Sequence, residues 1–240
     1  MATPARSRRS RTVTVAGPHN DKQVADRELW AEGRKRIAEA ALPLFLRYGY
    51  HATPVRVIAR AAGISSGSVF NYFSGKDELL EHVLDQSQAA AEQSIQEAQS
   101  ALVASRDADD PVAGFLSVFR RYAEYIDRIH GYVLLAYQEA KSLAPKKRIP
   151  LFEREQRIAE VLKAAAAPAI EAGEFSGDAL DLRVHSLIVI AQAWAVRHWA
   201  FTHYPTAADY LDDLEPIVVG MMRAEKRPRA SRVGRRTAAP

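Results

Sequence analysis

The sequence predicts an all-α protein of about nine helices, and three observations carry that prediction. Apolar residues recur at the three-to-four-residue spacing of helix faces along most of the chain. No segment shows the two-residue alternation of a strand, and proline, glycine and short polar runs punctuate the periodic stretches at helix-length intervals. With 240 residues and 48% hydrophobic content, the chain can bury a substantial core in one large or two small domains.

Residues 1–26 begin MATPARSRRSRTVTVAGPHNDKQ, with Pro4, Gly17, Pro18 and no sustained apolar period, and read as a disordered basic arm carrying Arg6, Arg8, Arg9 and Arg11. From Arg27 to Tyr48, the residues Ile37, Ala41, Leu44, Phe45 and Tyr48 share one helix face. Pro43 cannot donate to the carbonyl of Glu39 and predicts a bend there. Thr53 to Lys76 then compresses two short helices around one glycine turn. Thr53 is expected to cap the first helix through its side-chain oxygen, with Pro54 at the first helical position and Val55, Ile58 and Ala62 on the inner face. Gly63 can take the left-handed conformation that ends that helix, and Ser65 can cap the next. Val69 and Phe73 turn inward, which leaves Gly67, Phe70 and Asn71 outward with Ser68 beside them. A helix-turn-helix whose second helix starts with small and polar residues fits a DNA major groove.

Ser74-x-x-Asp77 predicts a capping box opening a long helix to about Ala104. Pro111 starts the next, with Phe115, Leu116, Val118, Phe119, Tyr122 and Ile126 on its apolar side. Helices over about 132–143 and 150–172 follow, the latter stopped by Gly173. The segment of about 178–203 is apolar nearly all round, and that of about 207–224 over a wide arc, so both need more than one buried face.

The residues from Ile37 to Leu80 carry a family resemblance. Tyr48-Gly49-Tyr50, Thr53, Val55, Ile58-Ala59, Ala62-Gly63, Ser65, Gly67-Ser68-Val69, Tyr72-Phe73 and Lys76, in this order and spacing, resemble the DNA-binding domain of TetR-family transcriptional regulators. Three positions depart from the family pattern. Phe70 stands where a phosphate-reaching tyrosine is common, Val57 where an acid is frequent, and Ser74-Gly75 where proline and a small polar residue are frequent. The resemblance implies a DNA-binding domain at 27–77, a helical ligand-binding and dimerisation domain at 78–224, a disordered basic tail at 225–240, and repression relieved by a small molecule. Ser65, Ser66, Gly67, Ser68, Phe70, Asn71 and Tyr72 are then expected at the duplex, with Asn71 reading a base and Thr53 and Lys76 holding phosphates. Tyr122, Tyr125, Tyr137, Gln138, His185, Gln192 and Trp194 sit among apolar neighbours, the mixture of a ligand pocket. Arg120 and Arg121 are candidate partners of an anionic ligand. Trp194, Trp199, Ile217, Val218 and Met221 are expected at a homodimer interface, because a monomer would leave their apolar surroundings uncovered.

The charge distribution supports nucleic acid as a partner. Residues 1–26 hold five Lys/Arg against two Asp/Glu, residues 27–77 eight against four, and residues 223–240 seven against one. The formal total of +4 therefore leaves −9 on residues 78–222. A basic reading end and an acidic body favour docking of one face on polyphosphate. There are no cysteines, so disulfides and thiolate metal sites are excluded. The seven histidines are scattered without metal-ligand spacing, and no catalytic carboxylate pair, nucleophile elbow or phosphate-cradling loop is recognisable, so neither cofactor nor metal is expected. The absence of a long apolar run or secretory segment points to a cytoplasmic protein without a membrane span. The alternatives are a DNA-binding regulator without an effector and a helical ligand-binding or enzymatic protein that never meets DNA.

Overall fold

A computed structural model describes residues 18–105 and 110–223, and all of their side chains except those of 18–25, 88–92 and 105. The described residues form nine α-helices and no strand: α1 Pro18–Tyr48, α2 Val55–Ala61, α3 Ser66–Phe70, α4 Lys76–Ser105, α5 Pro111–Arg128, α6 His130–Glu139, α7 Pro145–Glu171, α8 Leu180–Val196 and α9 Ala207–Arg223. Two single 3₁₀ turns, Ala140–Ser142 and His198–Ala200, follow α6 and α8.

Several boundaries differ from the sequence expectation. α1 starts at Pro18, inside the stretch assigned to the arm; Pro18 suits a first helical position. Arg6, Arg8, Arg9, Arg11 and the tail 225–240 lie outside the described residues. α1 runs through Pro43 to Tyr48. α7 starts at Pro145, so the basic run Lys146-Lys147-Arg148 is its first turn and not a linker. Arg148 there donates to the carbonyls of Leu143 and Lys141. The all-round apolar segment stops being α-helical at Val196.

Two hydrophobic cores result. The smaller one joins Ile37, Ala41 and Phe45 of α1, Ile58 of α2, Val69 and Phe73 around α3, and Leu79, Leu80, Val83 and Leu84 of α4, with Leu135 and Leu143 arriving from beyond α5. The larger one takes Ile95, Ala98 and Leu102 from α4 and continues through α5, α7, α8 and α9. α4 is thus one continuous helix with its first turns in one core and its last in the other. It packs on α1, α5 and α7.

Candidate nucleic-acid interface and internal cavity

α2 and α3 are seven and five residues long, too short to persist without tertiary support, so their ends are fixed by specific bonds. Gly63, at φ +70°, closes α2: its N–H donates to Arg60 O at 3.1 Å and that of Ile64 to Ala59 O at 3.0 Å, a paired arrangement that a residue with a Cβ would strain. Ser65 then caps α3, its Oγ accepting from the Ser68 N–H at 3.0 Å. Val69 is buried beneath the helix, whereas Ser65, Ser66, Gly67, Phe70 and Asn71 are exposed and Ser68 half-exposed. Phe70, on this outward face, is 55% exposed.

The base of this unit is held by charged groups. Arg34 of α1 donates from Nη1 to Tyr72 O at 2.7 Å and to Glu78 Oε1 at 2.8 Å, and its guanidinium lies 4.2 Å from the Phe73 ring centroid. Glu78 Oε2 accepts from both the N–H and the Oγ of Ser74, so the cap of α4 closes on Glu78 and not on Asp77 as expected; α4 begins later than the capping-box spacing implies. The Ser74 N–H, followed by Arg34, pulls the Glu78 carboxyl down to about 2. Asp77 instead accepts from the Tyr50 hydroxyl, and burial followed by that bond pushes the Tyr50 phenol up.

Three of the residues expected at the duplex are committed elsewhere. Thr53 is 1% exposed; its hydroxyl donates to Gly49 O at 2.7 Å, and no side-chain cap is made to α2. It closes the turn after α1 and presents nothing to a phosphate. Lys76 Nζ lies 2.9, 3.2 and 3.2 Å from the carbonyls of Tyr50, His51 and Thr53, one for each ammonium N–H, so it too ties that turn to α4. Tyr72 is half-buried against α1: a Cβ built on Gly33 would lie 2.4–2.8 Å from its ring and hydroxyl. Arg56 and Arg60, absent from the sequence-derived set, are exposed on α2 and pair with no carboxylate among the described residues. Their position, on the helix preceding the turn, was the available signal.

Beside the larger core, α4, α5, α6, α7 and α8 line a cavity of about 340 Å³ that opens to solvent at Tyr137 and Phe152. On α6 its wall is Val133, Ala136 and Tyr137, continued by Ala140: the i, i+3, i+4, i+7 face of one helix. Tyr122, Tyr125, Tyr137 and Gln192 line it. Gln138, His185 and Trp194 do not. Gln138 is rotated about 100° from Tyr137 and is exposed. His185 sits two turns down α8 from Gln192, and Trp194 lies about 200° round the same helix. Trp194 is buried against Tyr210 of α9, with Nε1 donating to Asp127 at 2.7 Å. Arg154 and Glu155 of α7 line the cavity and were not anticipated, because nothing local distinguishes them from other surface charges of that helix. Arg120 is not available to a ligand, since it bonds Glu215 and Asp212 of α9 at 2.6 Å each, and those bonds raise its pKa. Arg121 pairs with Glu124 at 3.9 Å, outside this cavity.

The expected interface also divides. Trp194 and Val218 belong to the protomer's own core, Val218 with no exposed surface, and Met221 is half-buried. Trp199 and Ile217 are 71% and 57% exposed, and Leu182 and Val189 of α8 also present apolar side chains to solvent. α8 and α9 therefore carry an outward apolar surface distinct from the residues that seal the core.

A helix-turn-helix displayed on a larger helical body with a cavity between its helices is the construction of a DNA-binding transcriptional regulator. Residues 37–83 match the family described as bacterial regulatory proteins, tetR family. The transcriptional regulator HbdR of Aromatoleum sp. (strain CIB) is 29% identical over 216 residues, spanning 87% of this chain and 91% of HbdR. The repressor KstR2 of Mycobacterium tuberculosis is 28% identical over 171 residues, 69% of this chain and 80% of KstR2. Among solved structures, AibR in complex with isovaleryl coenzyme A and operator DNA superposes with a TM-score of 0.56 at 18% identity, covering 80% of this chain and 98% of AibR.

Proposed function

We propose that the protein is a homodimeric, cytoplasmic repressor that holds a pseudo-palindromic operator through one α3 from each copy and releases it when a small molecule fills the α4–α8 cavity. The observation that carries this reading is α4, whose Leu79, Leu80, Val83 and Leu84 seat the DNA-binding unit while Ile95 lines the cavity. Two α3 helices must enter successive major grooves about 34 Å apart, so a displacement of a few Å transmitted along α4 prevents simultaneous docking. Ser66, Gly67, Phe70 and Asn71 face the bases, with Asn71 suited to adenine and Phe70 to a thymine methyl, while Arg56 and Arg60 reach phosphates. Leu182, Val189, Trp199 and Ile217 meet their copies across the two-fold axis. KstR2 is a repressor, and AibR was solved with both an acyl coenzyme A and operator DNA. Both support a repressor whose cavity takes an organic effector.

Selecting bound fragments from the source genome tests this directly. A two-fold related motif, bound by dimer and released by a metabolite from the neighbouring genes' chemistry, is the expected result. Binding that is equal on random DNA at physiological salt would overturn it.

A further inference from the structure

We propose that the cavity selects an apolar molecule carrying a carbonyl or carboxylate oxygen, which the Tyr125 hydroxyl and the Arg154 guanidinium receive together. The inference rests on the effector role above only for the consequence of binding. Tyr125 is 3% exposed, lines the cavity, and has a buried hydroxyl with no protein hydrogen-bond partner. A phenylalanine would fill the same volume without stranding a polar atom, so the hydroxyl makes sense as half of a bond whose other half comes with a ligand.

One turn away the situation is the opposite. The Tyr122 Oη accepts from Gln192 Nε2 at 3.1 Å, Gln192 Oε1 accepts from the Tyr137 hydroxyl at 2.5 Å, and Glu155 Oε1 lies 3.3 Å from the same Gln192 nitrogen. That side of the cavity is satisfied internally and its carboxylate is engaged. Arg154, by contrast, lines the cavity and makes one hydrogen bond among the described residues, from Nη1 to Ser87 Oγ at 3.2 Å, which leaves most of its N–H donors open. Burial raises the Tyr125 pKa while the Arg154 charge opposes the rise, so the phenol is a protonated donor at neutral pH. A buried hydroxyl without a partner and a guanidinium with open N–H donors, in a cavity whose walls include Ile126, Val133 and Ile158, call for an acceptor oxygen on an apolar body.

The test uses the purified full chain and probes that share a body but not a head: octanoate with octylammonium, and 3-phenylpropanoate with 3-phenylpropylammonium, followed by calorimetric titration and operator release. Octanoyl coenzyme A is a third arm, and tighter binding of the thioester than of the free acid identifies the source of the oxygen as an acyl carrier, the reverse as a free acid. Acids are expected to bind and the ammonium compounds not. Tyr125→Phe should weaken acid binding roughly 10-fold or more without lowering the melting temperature of the free protein, since it removes only an unpaired group. Arg154→Gln should act likewise, with Arg154→Lys retaining part of the affinity. Equal or better binding of the ammonium partners, no binding by any acid or thioester, or unchanged affinity in Tyr125→Phe overturns the ligand class. Acid binding without operator release keeps the class and overturns the effector role, and release by an ammonium probe alone does the reverse.

Discussion

The two cores of this protein are built in opposite ways. The smaller is assembled almost entirely from residues between Ile37 and Leu84 and displays its working residues outward, on a five-residue helix. The larger gathers side chains from Ile95 to Met222 and carries a cavity open at one side. The exceptions join them. Leu135, within α6, and Leu143, just after its 3₁₀ turn, are buried in the smaller core, and Val133, Ala136 and Tyr137 of the same helix line the cavity. Together with α4, α6 therefore touches both the ligand space and the seat of the DNA-binding unit. A ligand that moves either helix changes what α1 to α3 rest on, and no contact between ligand and α3 is needed.

The largest expected effect separates support from interface on α9. Val218→Asp puts a carboxylate into a fully buried apolar site and should unfold the larger domain, a loss of several kcal/mol. Ile217→Asp, one residue away and 57% exposed, should leave the melting temperature of the protomer nearly unchanged while sedimentation shifts from dimer to monomer and operator binding falls. If Ile217→Asp remains dimeric at micromolar concentration, α9 is not the dimerisation surface.

That contrast also shows where sequence reading reaches its limit. The helix-turn-helix was legible because its determinants are local: Gly63 and Ser65 act through bonds to residues three to five positions away, and Val69 and Phe73 show their inward face by spacing alone. Thr53 and Lys76 misled for different reasons. Lys76 suits a phosphate clamp, but its bonds go to carbonyls 23 to 26 residues away, which no local pattern reveals, and Thr53 turns its hydroxyl back to Gly49 instead of forward to cap α2. In the cavity, the burial of Tyr122 and Tyr125 follows from the amphipathic pattern of α5. Arg154 and Glu155, in contrast, became wall residues only because α7 lies across α5, and Val218 and Ile217 were indistinguishable until the direction of α9 was known.

Within the DNA-binding unit the next effect in size concerns Gly33. Adding a methyl group there drives it into the Tyr72 ring, so Gly33→Ala should cost about 1–3 kcal/mol against a helix-propensity gain of up to about 1 kcal/mol, and operator affinity should fall with it. The double variant Gly33→Ala/Tyr72→Leu should recover stability relative to the single one in thermal melts. A Gly33→Ala protein as stable as wild type would mean that the ring moves aside freely and that α1 does not fix α3. Asn71→Ala leaves this packing alone, because Asn71 is exposed. It should cost about 1–3 kcal/mol on the selected operator and little on random DNA. Equal loss on both sequences would reduce Asn71 to a backbone contact.

The smallest effect is a pH dependence confined to the junction of α3 and α4. The Glu78 carboxyl is held at about 2 in the folded chain against an ordinary 4.5, first by the Ser74 N–H and then by Arg34. A group whose pKa is lower when folded stabilises the fold at pH values above its unfolded pKa, and that contribution fades as pH drops from about 4.5 toward about 2. Glu78 is partly open to solvent, so the contribution is modest. Glu78→Gln should lower the melting temperature slightly at pH 7 and less so near pH 3, with the curves of wild type and variant converging on the acid side. A constant gap between them down to pH 2 would assign the stabilisation to the shape of the side chain at the cap and not to its charge. Tryptophan emission can assign the loss to this unit, because Trp30 lies 4.7 Å from the Arg34 guanidinium that Glu78 binds, while Trp194 and Trp199 belong to the α8 region of the other domain. Loss of the Glu78 charge should therefore loosen the Trp30 environment before any unfolding of the larger core.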